Sequence, residues 1–144
     1  MNILIIQGPN LNLIGLRAAQ LGQRLTLDKI NKGIRRHVRN TEHELKIIQT
    51  HKVDAALSWF QRRRNWADGI LFAPMGWCYA EYAFRDVIEL ISPPVIEVHF
   101  SPDYEPNFDV EKSILAPVCF RTIIAPPERA FLEGLDHFFD TQNR

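Results

Sequence analysis

Three polar side chains stand at alternate positions in the stretch VIEVHFS: Glu97, His99 and Ser101. If the stretch is a strand, alternation puts all three on one face. A carboxylate beside an imidazole at a strand end can do acid–base work. A lone histidine and serine there can also be mere strand-terminal polar groups, but Glu97 two residues earlier favours the functional reading. A second group lies in QGPNLNLIGLR, residues 7–17. Its Asn10, Asn12 and Gly15 suit turn chemistry, with side-chain caps and positive φ angles. Turn chemistry is the better account of Asn10. Asn12 and Arg17 together also fit an anion or oxyanion site.

The elements that must position these residues follow from hydrophobic pattern. Ile3–Ile6 is a continuous apolar run, as expected of a strand buried on both faces. Leu45–Ile48, Gly69–Ala73, Val95–His99 and Val118–Ala125 supply four more strand candidates. Leu27, Ile30, Ile34 and Val38 recur at helical spacing, with Thr26 as N-cap. Further helices are expected from Val53 through Phe60, over Tyr79–Ile91 with Ala83, Phe84, Val87 and Leu90 inward, and over Arg129–Phe139. Asn10 to Arg24 shows too little periodicity and reads as a long loop. Strand and helix in alternation mean a parallel sheet covered on both faces. The expected fold is α/β: a flavodoxin-like, doubly wound, five-stranded parallel sheet in three α/β/α layers, one domain over residues 1–144. Ligands of such sheets bind beyond the carboxyl ends of the strands. That directs attention to Gln7–Gly22, Thr50–Asp54, Pro74–Tyr79, His99–Asn107 and Ala125–Glu128.

Composition removes several functions. The chain of 144 residues is 46% hydrophobic and 24% charged, an ordinary globular balance. Lys+Arg and Asp+Glu number 17 each, so no basic field draws it to nucleic acid or membrane. Arg62, Arg63 and Arg64 then read as a solvated helix end suited to the dipole. Cys78 and Cys119 lie far apart in sequence, and His37, His43, His51 and His137 have no ligand spacing. No metal is therefore expected. No apolar stretch is long enough to cross a bilayer, and the chain is expected to be cytoplasmic. GPNLNLIG is not a phosphate loop.

The opening GPNLNLIGLR, with ADGILFAP (67–74), FRD (84–86), PPVIEVHFS (93–101) and LAPV (115–118), resembles the type II 3-dehydroquinate dehydratases. The likeness covers nearly the whole chain. It implies trans-dehydration of 3-dehydroquinate to 3-dehydroshikimate, a step of the shikimate pathway of aromatic amino acid biosynthesis. The reaction passes through an enolate and uses no cofactor. By this resemblance Asn12 matches the asparagine that holds the enolate-stabilising water, and Arg17 the arginine that lowers a catalytic tyrosine's pKa. His99 matches the general acid, and Glu97 the glutamate that orients it. Ser101, with the backbone N–H groups beside it at Phe100, matches the substrate-carboxylate clamp. Asp86 matches an aspartate presented across a subunit interface. The resemblance also implies a trimer-based homo-oligomer, up to a homododecamer.

Several matched positions depart from the family. Leu21 stands where the tyrosine base should be, Ala73 where an asparagine should be, Tyr79 where a histidine should be, and Val110 where an arginine should be. Residues 102–112, PDYEPNFDVEK, carry two prolines and four acids where the family is rich in arginine and histidine. Leucine cannot accept a proton, and positioned general base catalysis contributes about 10²–10⁴-fold. The expectation is a lyase with very weak or lost activity. The alternative is an inactive homologue, a pseudoenzyme, that binds a small cyclic carboxylic acid or serves as an oligomeric interaction protein.

Overall fold

Strands made of uninterrupted Ile, Leu and Val have no polar face to offer to water, so both faces must be covered by helices. In the computed structural model, which describes residues 1–142, they are. The chain runs β1 (Asn2–Gln7), α1 (Ile14–Gln20), α2 (Leu27–His37), β2 (Glu44–Gln49), α3 (Val53–Arg63), β3 (Gly69–Ala73), α4 (Tyr82–Leu90), β4 (Val95–Phe100), β5 (Arg121–Ala125) and α5 (Pro127–Gln142). Every strand pairing is parallel, and the sheet order is β2-β1-β3-β4-β5. This is the flavodoxin-like winding expected from the sequence.

Alternation divides the core into two layers. Ile3, Ile5, Leu71, Ile96 and Val98 pack with Ile30 and Ile34 of α2 and Phe131, Leu135 and Phe138 of α5. On the opposite face Leu4, Ile6, Ile70 and Phe72 meet Phe60 of α3 and Phe84 and Val87 of α4. Trp77 joins this second layer, stacked on Phe84 with ring centroids 5.0 Å apart. Thr26 caps α2 as expected, its hydroxyl accepting the Lys29 N–H at 3.2 Å.

Three local expectations need correcting. Residues 10–24 are no plain loop: a 3₁₀ turn at Leu11–Leu13 leads into α1. Leu11, Ile14 and Ala18 supply the buried face, but the motif's glycine and asparagines hide that period. Tyr79–Ile91 is two pieces, a 3₁₀ turn at Met75–Tyr79 and then α4, whose buried residues are Phe84, Val87 and Ile88. Ala83 is exposed and Leu90 is 83% exposed, not inward. Val118–Ala125 is strand only from Arg121, because Pro117 lies in a 3₁₀ turn at Ala116–Val118.

The glycine that ends β1 is required by close approach. A Cβ on Gly8 would stand 2.7 Å from the Ala73 carbonyl oxygen and 2.9 Å from that of Pro74. The same contact is a bond, since the Gly8 N–H donates to Ala73 O at 2.8 Å. Gly8→Ala should therefore cost ~1–3 kcal/mol by overpacking. Urea unfolding checks this, and an unchanged midpoint would show that the β1 and β3 ends separate freely.

Candidate functional site

β1 lies between β2 and β3, so the chain reverses direction across the sheet at the β1–β3 boundary, where doubly wound sheets open a crevice. A cavity of about 450 Å³ lies there. Its wall comes from three of the five strand-end segments singled out by the sequence: Asn10, Leu13 and Arg17 after β1, Met75 and Tyr79 after β3, and Phe100, Tyr104, Glu105 and Phe108 at and after β4. Asn10 and Met75 hold φ at 70° and 53°. A left-handed backbone costs most residues roughly 1–2 kcal/mol, and such strain often collects beside functional sites.

The segment after β4 folds back as a strap across the cavity. Ser-Pro-Asp-Tyr is a sequence made to turn, and the N–H groups of Tyr104 and Glu105 both donate to Ser101 O, at 2.9 and 3.0 Å. Its far end is pinned by Tyr79, whose hydroxyl donates to Asn107 O at 2.8 Å. Tyr104 OH bonds the Gln23 side chain beyond α1. The turn returns Glu105 to the end of β4. There its carboxylate accepts the Phe100 N–H at 2.9 Å and takes a 2.6 Å hydrogen bond from His99 Nδ1. Phe108 then covers the imidazole, ring centroids 3.5 Å apart and planes 11° from parallel.

His99 is thus fully buried, with a carboxylate on each side. Glu97 Oε2 lies 2.9 Å from Nε2, but off the axis of that nitrogen, which is left without an aligned hydrogen-bond partner. Glu97 is itself anchored by hydroxyls: Ser113 Oγ donates to Oε2 at 2.7 Å and Thr122 Oγ1 to Oε1 at 3.0 Å. Burial, the largest influence, disfavours a charged ring. The Glu105 hydrogen bond, the Glu97 contact and both negative charges outweigh it, so the His99 pKa lies above the ordinary histidine value. Neighbouring Cys78 is pushed up to about 12 by burial and then by the charges of Glu97 and Glu105. It is a thiol, not a nucleophilic thiolate.

Other residues singled out by the sequence fall into two groups. Arg17 is on the cavity wall, its guanidinium 3.3 Å from Gln20 Oε1, and Tyr79 and Phe100 line the same space. Ser101 is half-buried at the strand end, and its N–H is committed to Ala125 O at 3.0 Å. Asn12, Leu21, Ala73, Asp86 and Val110 are not on the wall. Asn12 and Asp86 are exposed, Leu21 caps the end of α1, and Ala73 is buried beneath Gly8. Sequence reasoning missed Glu105 and Phe108, counting Glu105 only among the acids of its segment. The signal was the turn itself, which sends a carboxylate back toward His99.

A raised His99 pKa fixes the sign of a pH effect. The charged imidazole stabilises the fold fully below the unfolded pKa of about 6.5. That contribution is lost as pH rises through the higher folded value. In metal-free buffer, urea midpoints should fall from about pH 6 to about pH 9, and Glu105→Gln should flatten the fall. A profile that Glu105→Gln leaves unchanged would contradict the assignment.

Comparison with known proteins identifies the family. The family model described as dehydroquinase class II matches residues 1–139. A 3-dehydroquinate dehydratase of Dictyoglomus turgidum is 31% identical over 139 residues, 96% of each chain. A second, from Campylobacter lari, is 27% identical over 99% of this chain and 91% of its own. The crystal structure of a type II dehydroquinase from Butyrivibrio crossotus superposes with a TM-score of 0.84 at 26% identity, covering 96% of this chain and 97% of that one. A 3-dehydroquinate dehydratase-like protein from Bifidobacterium longum shares the fold at a TM-score of 0.70 and 20% identity, over 96% and 94% of the two chains. With the family model matched over residues 1–139, a relative 31% identical along nearly its whole length and a fold superposing at a TM-score of 0.84, the chain belongs to the class II dehydroquinase family.

Proposed function

We propose that this chain is a 3-dehydroquinate dehydratase relative whose dehydration is very weak or lost, and whose cavity keeps affinity for a small carboxylic acid. The observation that carries this is the enclosure of His99. At the position matched to the family's general acid, Nδ1 is bonded to Glu105, Nε2 faces Glu97, and Phe108 covers the ring. A proton held there has no path to a hydroxyl in the cavity while the strap is closed. Leu21 supports the same reading, since it offers no base and stands outside the cavity wall. Groups that act as a unit lose activity together. Arg17 remains as a cation on the wall to meet a carboxylate, whereas Ala73 and Val110 stand off the wall and do not set its polarity.

Side-by-side assay of purified protein and the Dictyoglomus turgidum relative tests this. Formation of the dehydrated product should be slower by about 10²–10⁴-fold or more; equal turnover would contradict the proposal. Leu21→Tyr alone should recover little, because His99 stays enclosed. Calorimetry with quinate should show binding, weakened in Arg17→Ala by ~1.5–3 kcal/mol. No binding at all would favour an interaction protein that keeps only the fold.

We further propose a trimer-based homo-oligomer. Tyr82 and Leu90 on α4, with Phe120 and Ile124 at β5, leave large apolar side chains in water on the single chain. Trp77, close by in sequence, belongs to the core and not to this face. Light scattering at micromolar concentration decides, and a monomer would contradict it.

A further inference from the structure

Cys78 has no task in the acid-binding cavity, yet its position is not that of a packing residue alone. The 3₁₀ turn after β3 brings it to the face of β4 that carries Glu97 and His99. Its Sγ, a Glu97 carboxylate oxygen and a His99 ring nitrogen lie within 4.8 Å of one another, all three residues fully buried. Tetrahedral zinc places sulfur at ~2.3 Å and nitrogen and oxygen at ~2.0–2.2 Å, so ligand atoms must stand somewhat closer than this limit.

The nitrogen available is Nε2, buried and without an aligned partner, next to Glu97 Oε2. The surrounding bonds are those that a metal site needs. Nδ1 donates to Glu105, which fixes the tautomer that leaves Nε2 free to ligate. Ser113 and Thr122 hold the Glu97 carboxylate in place. Sulfur, imidazole and carboxylate together make a donor set for a borderline-soft divalent cation rather than for calcium or magnesium. A thiolate and a carboxylate would balance the charge of such an ion.

We propose that Cys78, Glu97 and His99 form a zinc-type metal site behind the cavity wall, with Glu105 as its outer carboxylate. The fourth position falls to water. None of the three ligands lines the cavity; only the outer carboxylate, Glu105, reaches its wall. A metal there ties the turn after β3 to β4 and closes the histidine further from catalysis. The expectation of no metal follows from spacing along the chain, whereas these ligands come from two separate segments.

Titration of the full chain, stripped with chelator and then dialysed, with Co²⁺ tests this. One equivalent should produce a thiolate-to-cobalt charge-transfer band in the near ultraviolet, reversed by Zn²⁺, and Zn²⁺ should raise the melting temperature. Cys78→Ser should abolish the band and Cys119→Ser should keep it. Glu105→Gln should weaken Co²⁺ binding by about 10–100-fold. If Cys78→Ser does not fold, alkylation mapping of the wild-type chain decides instead: Co²⁺ should shield Cys78 and not Cys119. A wild-type chain without the band, a band that survives Cys78→Ser, or equal alkylation of Cys78 with and without Co²⁺ would overturn the proposal.

Discussion

One carboxylate, that of Glu105, turns back on its own strand and takes the two donors that the end of β4 presents, the His99 Nδ1–H and the Phe100 N–H. Hydrogen bonds to a charged acceptor are among the stronger ones, and this pair lies where water does not compete. Without it, a backbone donor and an imidazole would be buried unsatisfied. The strap from Ser101 to Ser113 depends on this contact for its path, and Phe108 and Asn107 depend on the strap for theirs. Tyr79 supports it from the far side. The cavity beside it is therefore walled by the chain's own acid rather than open down to the histidine.

This arrangement changes the meaning of the family likeness. The five-stranded parallel sheet is that of a dehydroquinase. Tyr79 and Glu105 act together: the first pins the strap and the second bonds the histidine that the strap covers. Both contacts act in the same direction, toward a closed histidine. A fold shared with an enzyme leaves the chemistry to be settled at the site, and here the segment after β4 covers the histidine.

Much of the architecture was legible because its signals are local. Five apolar runs and the spacing of Ile30 and Ile34 report strands and helices directly, and Thr26 announces its own cap. α1 was hidden because glycine and asparagine lower helical propensity within a motif that also suits a loop. Leu90 misled because helical period places it near the buried stripe, while α4 ends there and leaves it in water. Glu97 and His99 could be put on one strand face by parity alone. Glu105 could not, since its partner is reached only after a turn whose direction depends on tertiary contacts. Cys78 was equally invisible: nothing in its spacing from Glu97 and His99 shows that β3 and β4 are neighbours in the sheet.

Closure of His99 by Glu105 and Phe108 is the central claim, and a crystal structure of the protein soaked in quinate examines that contact directly. The predicted result is the acid in the outer cavity near Arg17, with Glu105 still bonded to Nδ1 and Phe108 still stacked on the imidazole. An acid seated against His99, with Glu105 swung out and the strap lifted, would contradict it.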